Sequence, residues 1–359
     1  MITISLCMIV KNEEAVIGRC LASVQSIADE IIIVDTGSTD KTKEICRTFT
    51  ARVHHFTWIQ DFAAARNFAF SLATMDYILW LDADDVILEE DRKRFLQLKK
   101  TLDPAVDSVT MPYHLSVDHN GQVTSSLRRN RLVKRAKKFM WIGAVHEYLA
   151  VHGHIINGEV AITHQPLTHD ANRNIEIYDK RLAAGEEFSP RDLYYYANEL
   201  RDHQRYPEAI EYYQKFLATK LGWIEDNVAA CGKLADCYAE IGDRANSFRY
   251  MLESFAYDTP RAEFCCRLGF YHMQDGKYQQ AVFWYKLATQ LERPAENWGT
   301  FNHACWTWLP HLQLCVCYDR LGMHKEAHFH NEAAAHYIPN DPKIAYNRQY
   351  FERLLFAKN

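Results

Sequence analysis

Residues able to do metal and carboxylate chemistry fall in three short clusters. They are Lys11-Asn12-Glu13-Glu14, then Asp35-Thr36-Gly37-Ser38-Thr39-Asp40, then Asp82-Ala83-Asp84-Asp85. Each follows an apolar run that reads as a buried strand, over residues 2–10, 30–34 and 77–81. Residues i and i+2 of an extended segment point the same way, so Asp82 and Asp84 can face one ligand. A hard cation such as Mn2+ or Mg2+ takes one or two carboxylates and completes its shell with phosphate oxygens and water. A nucleotide diphosphate fits that description, because the metal offsets the charge that builds as the diphosphate leaves. In an open parallel sheet, ligands bind outside the carboxyl ends of the strands. One acidic cluster after a strand is commonly a helix cap or a solvated turn. Three on one edge describe a pocket.

The elements around these clusters alternate between strand and helix, as in parallel α/β units. Val16, Ile17, Cys20, Leu21, Val24 and Ile27 lie at helical spacing after the first strand, and Ser38 or Thr39 can cap a second helix ending near Phe49. A third strand is expected over 53–58, an alanine-rich helix over 61–74, and irregular strands over 108–115 and 131–147. From about Arg191 the period changes and the chain repeats itself. Ala209, Ser247, Ala281 and Ala327 recur every 34 to 46 positions, each after a turn that holds glycine in three of four cases. That is near the tetratricopeptide period of about 34 residues. The widest gap holds an insertion, 292–310, with Trp298, Trp306 and Trp308. The expected domains are 1–168 (α/β), 169–190 (a helical connector) and 191–359 (a tetratricopeptide-like array), with a last helix at 343–356 capping the array's apolar end.

The chain has 359 residues, 48% of them apolar, and a formal net charge of −5. This balance gives no support for broad nucleic-acid binding. The basic run from Arg128 to Lys138 reads as a solvated hairpin beside the cleft, one or two of whose cations could clamp an anion. Ten irregularly spaced cysteines with no CxxC pair read as reduced, buried thiols. The apolar start is too short for a span or signal peptide, so a cytoplasmic protein is expected. His54-His55 and His152-x-His154 lack carboxylate or cysteine company and are weak metal candidates.

Met8-Ile9-Val10-Lys11-Asn12-Glu13-Glu14, Ile33-Val34-Asp35-Thr36-Gly37-Ser38-Thr39-Asp40, Ala65-Arg66-Asn67, Leu81-Asp82-Ala83-Asp84 and Gly143-Ala144-Val145-His146-Glu147 resemble family 2 glycosyltransferases of the GT-A fold. The subset resembled is that of lipooligosaccharide β-1,4-glucosyltransferases and of glycocin-type peptide glycosyltransferases with a tetratricopeptide tail. The resemblance implies an inverting transfer of a hexose or N-acetylhexosamine from a UDP-type nucleotide sugar, with Mn2+ or Mg2+. It implies Asp35 at the donor's uracil or ribose, Asp82 at the ribose or metal, and Asp84 as principal metal ligand. Arg66 would reach the diphosphate, with a surface ion pair to Asp61 or Asp85 as the plain alternative. Asn12 or Glu13 would help hold the base or else cap a helix, and Asn67 would support the loop. Glu147 is the candidate general base, against a structural carboxylate. His146 could order Glu147, touch a phosphate, ligate the metal or simply pack, and His164 is a weaker candidate for the same site. Thr36 stands where many relatives have a second Asp, which weakens any inference about the nucleotide.

The acceptor stays open between a protein or peptide docked on the array and a cell-envelope saccharide or lipid-linked molecule. A homodimer through the repeats, with exposed insertion tryptophans, is a further expectation. A nucleotidylyltransferase would need a glycine-rich loop after the first strand, and 11–14 has no glycine. A non-catalytic scaffold is the reading from another class; against it stand the retained Asp35, Asp82, Asp84 and Glu147.

Overall fold

A computed structural model describes residues 1–117, 123–167, 172–293 and 301–356. The chain divides into two compact units, Met1–Glu187 and Phe188–Asn359.

The first unit is built on a mixed sheet. Its elements are β1 (Ile4–Val10), α1 (Ile17–Val24), β2 (Glu30–Asp35), α2 (Thr42–Arg47), β3 (Val53–His55), α3 (Phe62–Ser71), β4 (Tyr77–Trp80), β5 (Asp85–Val86) and α4 (Glu89–Thr101). There follow β6 (Ser108–Val117), β7 (Val123–Lys134), β8 (Met140–Ile142), β9 (Tyr148–Ala150), β10 (Ile155–Asn157), β11 (Ile162–His164) and α5 (Arg173–Ala183). The strand order is β3-β2-β1-β4-β7-β6-β11-β5, with β10 also on β6 and β8-β9 a separate pair. Strands β3, β2, β1 and β4 run parallel, whereas β7 is antiparallel to both β4 and β6. Registers Val10↔Asp35 and Cys7↔Trp80 bring the ends of β1, β2 and β4 to one edge.

Strand β1 explains the layering through its period of two. Ile4, Leu6, Met8 and Val10 pack with Ile17, Leu21 and Val24 of α1, while Cys7 joins Ala63 and Ala69 of α3 on the other face. Helix α3 starts where Asp61 accepts the Ala64 N–H at 2.9 Å.

The second unit is helical throughout its described length apart from short turns and one two-residue extended segment. It contains α6 (Pro190–Asp202), α7 (Tyr206–Thr219), α8 (Ile224–Glu240), α9 (Arg244–Glu253), α10 (Ala262–Gln274), α11 (Tyr278–Gln290), α12 (Trp308–Arg320), α13 (His324–Ala335) and α14 (Pro342–Phe356). Helix α6 opens on a capping box between Ser189 and Asp192, with Pro190 in the first turn. The recurring small residues Ala209, Ser247, Ala281 and Ala327 are all buried where consecutive helices approach. Gly242, Gly276 and Gly322 turn the chain at positive φ, and Gln204 takes φ 59° in the repeat lacking the glycine. Trp306 and Trp308 are half-buried, and Trp306 donates to Glu263 at 2.7 Å, so neither is the freely exposed tryptophan expected of the insertion. Trp298 lies outside the described residues. All ten cysteines are buried free thiols. Among the described residues no helix is long and apolar enough to cross a membrane.

Candidate functional site

The loops after β1 and β2 are stapled to one another. The Asn12 N–H donates to Ser38 Oγ at 3.0 Å, and the Thr39 N–H donates to Asn12 Oδ1 at 2.8 Å. The Glu13 N–H donates to Thr42 Oγ1 at 2.7 Å, and Glu14 Oε2 accepts the Lys41 N–H at 2.9 Å. Asn12 adopts φ 56°, which asparagine tolerates because its short amide bonds locally. Asp35 is buried, and its carboxylate accepts the Gly37 and Ser38 N–H groups at 3.1 Å. Asp35 therefore shapes its own loop, whatever else it touches.

Arg66 is the hub of the far side. From α3 it donates to Asp82 Oδ1 at 2.7 Å and to Glu147 Oε1 at 2.5 Å, with its guanidinium centred 5.1 Å from the Trp80 ring and 4.8 Å from that of Trp141. Burial works against its charge, but Asp82 and Glu147 outweigh it and hold the group well above its ordinary range. Reciprocally, Arg66 and Arg131 overcome burial and keep the Asp82 carboxyl below the usual range. Neither Asp61 nor Asp85 is its partner. Asn67 exchanges two hydrogen bonds with the Trp141 backbone, at 2.8 and 3.0 Å, and so fastens β8 to α3.

Beyond Asp82 a second group converges. Ligand atoms of Asp84, Asp85 and His164 lie within 4.8 Å of one another, in a cluster that contains neither Asp82 nor His146. His164 Nδ1 stands 3.5 Å from an oxygen of each aspartate and 2.9 Å from the Tyr113 hydroxyl. Hydrogen bonding to Asp84 and Asp85 raises the His164 imidazole to about 10. Asp85 itself is fully buried and paired at 3.0 Å with Arg131, which is equally buried. The Arg131 guanidinium is sandwiched between Trp80, 3.9 Å away, and Tyr113, 4.4 Å away. Glu13 faces the same acids: burial, then the charges of Asp84, Asp40 and Asp82, push it up to about 7 against the pull of Arg173. His146 sits half-buried in the β8–β9 turn at φ 50°. His54, His55, His152 and His154 join no such cluster among the described residues.

Asp85, Arg131 and Tyr113 escape a reading by motif. Arg131 belongs to the run taken above as a solvated hairpin, yet it is the largest fully buried side chain. The available signal is its place directly before Leu132 and Val133, with Asp85, the third acid of the 82–85 cluster, as its counter-charge.

An α/β domain with carboxylates gathered at the carboxyl edge of parallel strands, followed by a helical repeat array, defines the class of protein. The model for glycosyl transferase family 2 matches residues 5–151, and a tetratricopeptide repeat model matches residues 262–294. The first unit thus carries a family 2 glycosyl transferase domain, and the second unit carries a tetratricopeptide repeat. A TPR repeat-containing protein of Synechococcus elongatus is 28% identical over 89% of this chain and 74% of its own length. The SPbeta prophage-derived glycosyltransferase SunS of Bacillus subtilis is 30% identical over 59% of this chain and 53% of its own. An uncharacterized glycosyltransferase of Rickettsia typhi is 41% identical over 87 residues, 24% of this chain and 30% of its own. The chain thus spans about half the length of SunS and less of the Rickettsia protein.

Proposed function

We propose that the protein transfers a hexose or N-acetylhexosamine, with inversion, from a UDP-type nucleotide sugar to an acceptor, aided by Mn2+ or Mg2+. The observation that carries this reading is Arg66, which joins Asp82 and Glu147 through one guanidinium and so couples the donor-side carboxylates to a candidate base. The donor set fits a divalent ion: Asp85 Oδ1 is buried, with the His164 ring nitrogen 3.5 Å away and Asp84 alongside. Two carboxylates and an imidazole suit Mn2+ better than Mg2+, which favours oxygen ligands alone. When bound, the ion would offset charge on the leaving diphosphate.

In this scheme Asp84 holds the ion with His164 and Asp85, and Asp82 turns toward the ribose or metal. Asp35 with the Asn12–Glu13 turn takes the nucleoside. Glu147 accepts the acceptor's proton while the nucleotide leaves from the opposite face. Arg66 positions Asp82 and Glu147, and by its burial is less suited to clamp the diphosphate. His146, at the tip beside Glu147, is assigned to ordering that residue. The repeat array suits a protein or peptide acceptor, because helical solenoids present extended binding surfaces. The test is release of UDP from a panel of UDP-sugars with and without Mn2+. Wild type should turn over at least one donor, and Asp84→Ala should lose the metal-dependent part. Metal-independent release that Asp84→Ala leaves unchanged would sink the scheme.

A further inference from the structure

The β8–β9 hairpin carries features that the donor chemistry does not use. Its cross-strand pairs are Met140↔Ala150, Trp141↔Leu149 and Ile142↔Tyr148, and the two members of a pair share one face of the sheet. Trp141 and Leu149 are buried in the core that Trp80 and the alanines of α3 also enter. Met140, Ile142 and Tyr148 face the other way and are 54%, 46% and 39% exposed. Apolar and aromatic side chains thus cover the outer face of a strand pair that no third strand adjoins among the described residues.

The backbone shows which edge is open. The N–H and C=O of Trp141 both turn away from β9, since Asn67 takes them at 2.8 and 3.0 Å. Antiparallel ladders alternate bonded and non-bonded pairs, so Trp141↔Leu149 is a non-bonded pair and the Leu149 N–H and C=O point outward from β9. Where Trp141 meets Asn67, the Leu149 backbone meets no partner among the described residues. A three-residue edge is short enough to escape aggregation. Unmade backbone hydrogen bonds beside an exposed apolar face nevertheless form a place where an extended chain can add. Glu147 directly precedes this edge. Its carboxylate lies on the inner side of the hairpin, where it binds Arg66, whose guanidinium is 4.8 Å from the Trp141 ring.

We propose that the free edge of β9 takes the acceptor as an extended polypeptide segment, added as a third strand. A serine, threonine or cysteine of that segment turns inward to Glu147, and the apolar side chains flanking it turn outward beside Ile142 and Tyr148. Successive side chains of a strand alternate between faces, and an added strand runs about 4.8 Å from its neighbour, so both contacts are made by adjacent residues. The open edge selects the class of acceptor: only a polypeptide offers N–H and C=O groups at strand spacing, which neither a saccharide nor a lipid does. The chemistry, though not the docking, rests on the glycosyl-transfer reading. The hydroxyl or thiol bonds the anomeric carbon, its proton passes to Glu147, and the nucleotide leaves with the electron pair of the broken bond.

The test is fluorescence anisotropy of the full chain, without donor, using a labelled heptapeptide of sequence lysine-threonine-valine-serine-valine-threonine-lysine. Two further peptides carry N-methyl groups, one on both valines and the other on the serine and threonines. Only one alternate set of amides faces β9, so one methylated peptide should bind about tenfold less tightly and the other should bind like the parent. Ile142→Ser/Tyr148→Ser should weaken binding by about tenfold, and replacing the peptide's valines by serine should do the same on wild type. Leu221→Ser, an exposed position in the second unit, should bind like wild type, and circular dichroism checks that each variant folds. Equal binding of the two methylated peptides, no loss in the double variant, or no binding of the parent peptide at millimolar concentration overturns the proposal. Displacement by maltohexaose or by phosphatidylcholine vesicles also overturns it, by assigning the face to a saccharide or a lipid. UDP release without acceptor is measured alongside; its failure counts against the glycosyl-transfer reading and leaves the peptide site standing.

Discussion

Arg131→Met is the sharpest perturbation of the site's foundations. Methionine keeps the length of the stem while removing the charge, which leaves the buried Asp85 without its guanidinium, facing the Asp82 N–H at 3.0 Å and the more distant His164 at 3.5 Å. Both groups are 0% exposed and 3.0 Å apart. Removing one partner of such a pair costs about 3–5 kcal/mol, mostly as the penalty on the charge left behind. For a unit of this size that corresponds to a fall of about 6–20 °C in its unfolding midpoint. Hydrogen exchange of the most protected amides in β4 and β7 reads the loss for the first unit alone, where a whole-chain melt would mix two units. Asp85→Asn in the Arg131→Met background should recover part of the loss, because it removes the stranded charge. If Arg131→Met costs less than about 1 kcal/mol, or if the double variant is worse than the sum of the singles, the pair is not what holds this edge together.

Four further outcomes are expected. Arg66→Met should cut kcat more than a hundredfold, because it releases Glu147, with a smaller rise in donor KM from the freed Asp82, since the Asp35 and Asn12–Glu13 loops are untouched; steady-state kinetics across donors checks this. Asp84→Asn should weaken Mn2+ binding, read by titration calorimetry, with the folding of the first unit retained. Gly269→Ala should destabilise the array: a Cβ there would lie 2.7 Å from the Tyr285 ring, and overpacking of about 1–3 kcal/mol exceeds the roughly 1 kcal/mol gained in helix propensity. Thermal unfolding of the second unit reads the net loss. His330 gives a pH dependence: burial, then His311 and Lys286, lowers it from 6.5 to about 4. The unfolded chain takes up the proton first, so stability is full above about pH 6.5 and falls by about 2–3 kcal/mol toward pH 4. His330→Gln should flatten that profile.

Much of this was readable from residue order. Apolar runs ending in polar clusters located β1, β2 and β4, because parallel strands bury both faces and leave their chemistry at the ends. The small residue after each turn located the repeats, since only there must two helices meet closely. What the sequence withheld was pairing at a distance. Arg131 looks like its neighbours in a basic run until β7 is placed beside β4 and its charge is found against Asp85. His164 and His146 are likewise indistinguishable as letters. Strand β11 lies beside β5, His164 opposite Asp85, and that register gave one of them the acids for company. The β8–β9 turn, at positive φ, gave the other a place beside Glu147.

The stapled loops after β1 and β2 bear on how this protein can change. Asn12, Glu13 and Glu14 each exchange hydrogen bonds with the segment 38–42, partly through backbone and partly through side chains. An insertion or substitution in one loop therefore alters the frame in which the other is read. Altered nucleotide preference should thus be reached by paired changes across the two loops, with each single step poorer than either end, so that the pocket evolves as one unit of inheritance drawn from two stretches of sequence.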